Sequence, residues 1–430
     1  MEAQQIARER CAPIERLNAE CQCATLDRGQ LHIDLTGARD QPERWSGLLE
    51  PRPHLFSDTS VFVSRSDMAA MEATVTAIEA VVALPAYRAW VAQRSPAIAH
   101  ADPGPRGAFM GYDFHLGRQG PQLIEVNTNA GGAFLNAALA GAHTACCGNA
   151  DLPHAGGTFA ERVVAMFRRE WALQGRTTEL RRIAIVDDTP KQQYLFPEFL
   201  LAQRVLQDAG IAADIADAAD LESRDGALWH DGNRVDLVYN RLVDFTLADP
   251  RHVALRQAYE GGTVVLTPNP HVHAVLADKR NLTFLSDPDR VRGAGLGAEH
   301  VATLQFHVPA TVEVAAERAD ALWAARNKLF FKPASGYGSK AVYRGDKLTR
   351  AAWAGILAGD YVAQQFVPPS ERTVTADGAL HARKTDVRLY TYDGQVLLAA
   401  ARIYQGQTTN FRTVGGGFAP VVVVGEPVPA

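Results

Sequence analysis

The chain has 430 residues, which corresponds to two or three domains at roughly 150 residues each. Hydrophobic residues make up 47% and charged residues 21%, which excludes a wholly disordered, collagen-like or coiled-coil chain. With 43 Lys and Arg against 48 Asp and Glu, the formal net charge is −5. A dedicated nucleic-acid-binding protein needs a dominant basic face, so we expect no nucleic-acid partner.

The N-terminus and the cysteines predict a compartment. The first residues alternate in charge and lack an apolar core, so no secretory signal is expected. Residues 130–147 come nearest to a membrane span, but they include Asn136, His143 and three glycines, and we predict a buried loop and helix there. Five cysteines, none in CxxC spacing, indicate reducing conditions. We therefore expect a cytoplasmic protein with no membrane partner.

The predicted elements begin with a mostly helical segment over residues 1–106. Within it, apolar residues recur at helical spacing over 68–92 and are interrupted by Pro85. The block at 107–150 differs, because its short apolar runs and Gly-rich turn predict two strands joined as a hairpin. We therefore expect a mostly helical segment followed by a β-hairpin.

Residues 178–275 are predicted to form an α/β substrate-binding domain. The sequence RRIAIVDD is a strand signal, a helical stretch closed by Gly210 follows, and a second strand comes next. Two further apolar strands lie before residue 270, so we expect a doubly wound sheet. Strand and helix signals alternate again over 276–430, which makes the whole chain α/β.

Three oxygen-bearing residues lie together on the predicted hairpin. Asp113 is on its first strand, and Glu125 and Asn127 share one face of the second because strand side chains alternate. Carboxylate and amide oxygens are the ligands that Mg²⁺ prefers. The alternative is a solvated strand face, but Glu125 has apolar neighbours, among which an unpaired carboxylate is costly. The Gly-Gly turn that follows allows a ligand to approach the backbone closely.

The order Asp113, then Glu125-x-Asn127, then a glycine-containing loop resembles the metal-binding hairpin of the ATP-grasp enzymes. In that family the hairpin holds the Mg²⁺ ions of ATP and follows the nucleotide-binding lysines, whereas here it precedes them. This order is similar to the circularly permuted branch, which includes eukaryotic-type glutathione synthetase and glutathionylspermidine synthetase. The resemblance covers residues 107–136 and 235–425.

The resemblance implies an ATP-grasp fold with circularly permuted order. In it, 107–150 is the metal-binding hairpin of the core and 276–430 is the nucleotide-binding remainder. Lys332 ends an apolar strand before a flexible Gly-Tyr-Gly-Ser loop, which suits backbone amides and a lysine charge placed over phosphates. The residues implied for binding ATP are Lys279, Lys332, Gly336, Gly338, Ser339, Gln365 and Val367.

The resemblance also implies residues for the chemistry and the substrate. Arg402 is best placed for a phosphoryl intermediate, and Arg388 and Arg412 are the other candidate catalytic arginines. Arg241 is the implied substrate-facing arginine, and Asn129, in the turn after the hairpin, is also expected to bind substrate.

The charge distribution agrees with a polyphosphate site, although some residues depart from the family pattern. Residues 326–412 hold 13 Lys and Arg against 6 Asp and Glu, a net of +7, which leaves −12 for the rest of the chain. Gln365 stands where glutathione synthetase has an acidic residue. The loop after Lys332 lacks that enzyme's additional glutamate ligand, and Asp113 or Asp386 is expected to compensate.

The expected function is an ATP- and Mg²⁺-dependent ligase that joins a carboxylate to an amine through an acylphosphate and releases ADP. Its partners are small-molecule acids and amines, and a homodimer is the commonest assembly. A kinase that uses the same nucleotide site and a non-catalytic nucleotide-binding module stay open as alternatives. No GxGxxG or Walker A motif occurs, and His271 and His273 have no third soft ligand near them, which argues against dinucleotide, P-loop and zinc sites.

Overall fold

A computed structural model describes most of the chain: residues 14–23, 26–36, 47–117, 119–143, 150–151, 158–336, 341–407 and 413–425. The bounded α-helices are, in chain order, α1 Ile14–Glu20, α2 Arg28–Thr36, α3 Arg65–Val82, α4 Pro85–Ala92, α5 Ala133–Gly141, α6 Thr158–Leu173, α7 Phe196–Asp208, α8 Val253–Glu260, α9 Pro270–Leu276, α10 Asn281–Leu285, α11 Pro288–Gly293, α12 Ala298–His307, α13 Ala319–Ala325 and α14 Arg350–Ala358. Short 3₁₀ helices span Ala97–Ala99, Pro190–Gln192, Ala218–Asp220, Pro250–His252, Ala316–Arg318, Arg326–Lys328 and Gly345–Lys347.

The strands fall into four sheets. In chain order they are β1 Val61–Ser64, β2 Met110–Gly117, β3 Gly120–Asn127, β4 Ala150–Asp151, β5 Arg182–Asp187, β6 Ala212–Asp217, β7 Glu222–Arg224, β8 Ala227–His230, β9 Asn233–Val235, β10 Leu237–Asn240, β11 Val265–Thr267, β12 Thr311–Glu313, β13 Leu329–Pro333, β14 Tyr343–Arg344, β15 Tyr361–Gln365, β16 Ser370–Ala376, β17 Ala379–Tyr392, β18 Gln395–Tyr404 and β19 Gly417–Val424.

The large sheet joins the front of the chain to its end. Its strand order is β1-β19-β18-β17-β2-β3, with β16 paired to β17 and β4 paired to β19. The predicted hairpin is confirmed as β2 and β3, and β2 lies antiparallel to β17, where Asp113 is opposite Arg388. A hairpin from near residue 120 thus lies in one sheet with the four C-terminal strands β16 to β19.

Helix α3 covers the large sheet. The Ser64 side chain caps it by accepting a hydrogen bond from the Asp67 N–H. Met71, Val75 and Ile78, which share one helical face, are buried in the main hydrophobic core. The helical spacing predicted for this segment is therefore confirmed.

Strand β1 was not predicted, because it lies within residues 1–106, the segment that was expected to be mostly helical. It pairs parallel with β19, with Val61 opposite Val421. A four-residue apolar run carries too little periodicity to distinguish a strand from a helix, and only its pairing across the fold settles its state.

A second, fully parallel sheet has the strand order β11-β10-β5-β6. Strand β5, the first of the four in chain order, is an inner strand of this sheet. Strand β6 pairs on one side of it, and β10 pairs on the other side, followed by β11 at the edge. The carboxyl ends of parallel strands meet at one edge, where ligands bind in open α/β sheets. Asp187 ends β5 there, and Arg241 follows β10.

A small antiparallel sheet, β12-β15-β13-β14, carries Lys332 on β13. It packs on α13 and α14 around its own apolar core, to which Leu322, Phe331, Trp353 and Ile356 contribute. Among the described residues, no single helix is long and apolar enough to span a membrane, and the bent pair α3 and α4 meets that test only when the two are taken together.

Candidate functional site

The front hairpin and the small sheet form the two walls of one cleft of about 1060 Å³, its open mouth included. The cleft brings together most of the residues predicted for ATP, metal and catalysis. Those that line it are Asp113, Glu125, Asn127, Lys279, Lys332, Gly336, Gln365, Val367 and Arg402.

Lys332 links the two walls. Its Nζ donates to the Ile124 carbonyl oxygen at 2.8 Å, on β3, and to the Gln364 Oε1 at 2.7 Å, on β15. The side chain is only 4% exposed. Burial lowers the pKa of Lys332 to about 8, although the nearby Glu125 carboxylate favours the charged form. The lysine is therefore a preorganised cation inside the cleft.

Glu125 and Asn127 share a face of β3, as the alternation predicts. The Asn127 Nδ2 donates to the Glu125 Oε1 at 3.2 Å and to the Asp113 Oδ2 at 3.3 Å. Burial opposes ionisation of Glu125, but the charges of Lys279 and Lys332 outweigh it, and the pKa lies below its ordinary value.

Asp113 lies in a buried network of charges on the floor of the cleft. Its Oδ1 accepts from the Arg388 Nε at 2.5 Å, and its Oδ2 accepts from the Arg388 Nη2 and the Arg402 Nη2, each at 2.7 Å. The Arg402 Nε also donates to the Asp386 Oδ1 at 2.6 Å. Burial opposes ionisation, yet the two guanidinium groups hold the pKa of Asp113 well below its ordinary value. Arg388 binds Asp113 but is not itself among the residues that line the cleft.

Lys279 comes to the cleft from the turn between α9 and α10. Its Nζ donates to the Gly336 carbonyl oxygen at 2.9 Å, which connects the predicted lysine to the predicted glycine loop. The other predicted loop residues, Gly338 and Ser339, and the predicted arginine Arg412 lie outside the described residues.

His115 and Gln364 are among the lining residues that sequence reasoning missed. His115 follows Asp113 by two positions on β2, and its Nδ1 donates to the Val367 carbonyl oxygen at 2.8 Å. Burial lowers the pKa of His115, which favours the neutral ring. Gln364 lies on the same face of the small sheet as Lys332 and is buried, whereas Gln365, the next residue of β15 and also a lining residue, is exposed. Alternation along each strand was the signal that could have found both residues.

The residues predicted for substrate binding, Arg241 and Asn129, lie together at the carboxyl edge of the parallel sheet and do not line the cleft. The Asn129 Nδ2 donates to the Leu242 carbonyl oxygen at 3.0 Å. Arg241 is 7% exposed and lies beside Gly131, where an added Cβ would be 3.1 Å from the Arg241 Nη2 and 2.5 Å from the Leu195 Cδ1. This glycine allows the loop after the hairpin to approach the arginine closely.

Asp187 → Asn is expected to remove part of the pH dependence of folding. Burial raises the pKa of Asp187 to about 7, although the Arg241 charge acts in the opposite direction. The folded chain therefore keeps a proton that the unfolded chain releases between about pH 4 and 7, and stability falls as pH rises through this window. As the pH rises from 5 to 8, the free energy of unfolding should fall by roughly 2–3 kcal/mol more in the wild type than in the variant. Urea unfolding at the two pH values measures this difference. The same pH dependence in both proteins would contradict the prediction, and Asp208→Asn, at an exposed position, is the control.

His271 and His273 lie on helix α9 and not on a strand, so a spacing of two places them on different faces. The His271 Nδ1 bonds to the Ala99 carbonyl oxygen at 2.8 Å. The His273 Nδ1 bonds to the Thr128 Oγ1 at 3.0 Å, and its ring stacks on Phe245 with centroids 3.6 Å apart. Both are engaged in structural contacts.

The oxygen donors in the cleft fit a hard divalent cation that receives further ligands from phosphates. Within the described ranges, no group of three or more His, Cys, Asp or Glu side chains is arranged to hold a metal ion. Glu125 supplies an ionised carboxylate and Asn127 an amide oxygen, which is the donor chemistry of a Mg²⁺ site that nucleotide oxygens complete.

Comparison of the sequence with models of protein families and with curated proteins found no match. Among solved structures, a glutathione synthetase-like effector from Globodera pallida, in its apo form, is 12% identical, with 93% of this chain and 98% of that chain covered at a TM-score of 0.58. A putative γ-glutamylcysteine synthetase from Methylobacillus flagellatus KT is 12% identical, with 79% and 84% covered and a TM-score of 0.44. The ATP-grasp ligase PsnB with a minimal precursor is 16% identical, with 56% and 76% covered and a TM-score of 0.31. The first of these likenesses shows a shared fold.

Proposed function

We propose that the protein is an ATP- and Mg²⁺-dependent ligase of the ATP-grasp type, with circularly permuted order, that joins a carboxylate to an amine. The observation that carries the proposal is the contact between Lys332 and the front hairpin. It supports the proposal because the lysine proposed to bind the nucleotide then lies in the same cleft as the oxygen donors of the hairpin. The fold shared with a glutathione synthetase-like protein supports the same class. In this reading, the parallel sheet belongs to a doubly wound substrate domain.

The cleft residues suit phosphoryl transfer to a carboxylate. Lys279 and Lys332 bind the polyphosphate and neutralise charge on it, and Arg402 faces the group that is transferred. A divalent cation held by Glu125 and Asn127 would supply Lewis-acid stabilisation of the phosphate oxygens.

The proposed reaction needs no side-chain nucleophile. A carboxylate oxygen of the acid substrate attacks the γ-phosphorus, the bond to the β-phosphate bridging oxygen breaks, and ADP leaves. The amine then attacks the acyl carbon, the acylphosphate C–O bond breaks, and phosphate leaves as the amine loses a proton. Positioning and charge stabilisation supply the catalysis.

Release of ADP and phosphate in equal amounts, dependent on both an acid and an amine, is the expected result. We suggest a panel of amino acids, γ-glutamylcysteine and simple amines, with Mg²⁺ and ATP, monitored by coupled assays for both products. Hydroxylamine distinguishes the ligase from a kinase, because only an activated carboxylate gives a hydroxamate. Calorimetric ATP binding without turnover across the panel would indicate a non-catalytic module and contradict the proposal.

The cytoplasmic location, the homodimer and the small-molecule nature of the acid and amine remain predictions from the sequence, which names neither substrate.

A further inference from the structure

The carboxylate of Asp113, which the hairpin pattern assigns to metal, is already surrounded by hydrogen-bond donors. A carboxylate offers about four acceptor sites on its two oxygens. Arg388 occupies both oxygens in a forked arrangement, Arg402 adds a third bond, and the Asn127 Nδ2 lies at 3.3 Å. Oδ1 accepts one of these bonds and Oδ2 three, and with a side chain only 2% exposed, Asp113 faces N–H donors on both of its oxygens.

The two arginines depend on this carboxylate for charge compensation. Arg388 and Asp113 are 8% and 2% exposed as side chains, and Arg402 is 12% exposed. If Asp113 turned to a cation, the Arg388 guanidinium would lose both of its hydrogen bonds to this carboxylate. Removing one partner of a buried ion pair is strongly unfavourable because a charge is left uncompensated.

Arg402 is held from two sides by carboxylates of different origin. Asp386 is its direct neighbour across β17 and β18, and Asp113 comes from the front of the chain, 289 residues away. These contacts use the Nε–H and one Nη2–H of Arg402, whereas a guanidinium has five N–H donors in a rigid plane. The plane is therefore fixed while other donors remain for a ligand in the cleft.

We propose that Asp113 is a positioning residue, which together with Asp386 sets the orientation of Arg402, and that it is not a ligand of the divalent cation. The cation site of this chain then consists of Glu125 and Asn127 with nucleotide oxygens. The role of Arg402 rests on the proposed ligase activity, whereas the statement about the cation rests only on the binding of a nucleotide with a divalent cation and not on turnover.

Titration with Mn²⁺, which takes the same oxygen ligands as Mg²⁺, tests the cation part. Free Mn²⁺ is measured by electron paramagnetic resonance in the presence of a non-hydrolysable ATP analogue. Glu125→Gln is expected to weaken Mn²⁺ binding at least tenfold, and Asp113→Asn by no more than threefold. Equal weakening in the two variants would overturn the inference. This arm gives a result even if the wild-type protein turns over no substrate.

Steady-state kinetics test the positioning part. Asp113→Asn is expected to lower kcat about 100-fold while the KM for ATP stays within threefold. The reason is that Arg402 loses its orientation, whereas the residues that bind the nucleotide are unchanged. Wild-type kcat in this variant would contradict the role. If Asp113→Asn does not fold, Asp386→Asn carries the same two expectations, and a tenfold loss of Mn²⁺ affinity in it would count against the proposal. Asp360→Asn removes an exposed carboxylate just before strand β15 and controls for the change in charge.

Discussion

Lys332→Met is expected to lower ATP-dependent turnover by about 10³-fold, since one preorganised donor aimed at developing charge contributes on the order of 10²–10³. Methionine fills a similar volume, so the apolar part of the side chain still packs beside Gln364. What is lost is the ammonium that balances the Glu125 carboxylate and that, in the proposed function, neutralises charge on the polyphosphate. Turnover is measured as ADP release with the best acid and amine of the panel.

Lys347, which follows strand β14 of the small sheet, provides the matched control. It is exposed and does not line the cleft, so Lys347→Met should retain turnover within twofold. Calorimetric titration with ATP separates binding from chemistry, and we expect the affinity of the Lys332 variant to fall as well. Wild-type turnover with Lys332→Met would remove the lysine from the mechanism and with it the assignment of the cleft.

Arg372→Leu is expected to destabilise the fold by about 4 kcal/mol, because several buried carbonyl groups would lose a charged donor at once. Arg372 is 1% exposed on β16. Its guanidinium donates to the carbonyl oxygens of Ser60 at 2.8 Å, Asn18 at 2.8 Å, Cys21 at 2.6 Å and Thr373 at 2.7 Å. One side chain thus ties the first helix and the start of β1 to the C-terminal strands.

Urea unfolding measures the loss, and limited proteolysis over residues 14–23 locates it. Arg372→Lys keeps the charge, but one ammonium cannot reach all of these carbonyls, so we expect an intermediate value. Arg292→Met removes an exposed arginine paired with Asp289 and should change stability by less than about 1 kcal/mol. If Arg372→Leu unfolds at the wild-type urea concentration, the guanidinium does not anchor the N-terminal segment.

Local patterns were sufficient for the elements that carry the site. Alternation placed Glu125 and Asn127 on one face of a strand, and the apolar run before Lys332 predicted the strand that ends there; both are confirmed. The helix at Phe196–Asp208 also ends where the glycine at 210, with φ of +78°, allows the chain to turn. These features depend on neighbours within a few residues, which a sequence displays directly.

The partners of those side chains could not be read in the same way. Lys332 meets Ile124 across 208 residues of chain, and Asp113 meets Arg388 across 275. Alternation could have indicated His115, two residues after Asp113 on β2, but its contact with Val367 exists only in the folded chain, across 252 residues. Strand β1 was missed for a similar reason, because its identity comes from pairing with β19.

The sequence by itself determined the kinds of element, the faces on which the oxygen donors lie, and the uneven charge, with +7 over residues 326–412 against −12 elsewhere. Only the tertiary structure decided which charges meet. It surrounded Asp113 with two guanidinium groups, while Glu125 was left between lysines at the cleft wall. The physical reason is that periodicity follows from local backbone geometry, whereas ion pairing at these distances depends on the packing of segments hundreds of residues apart.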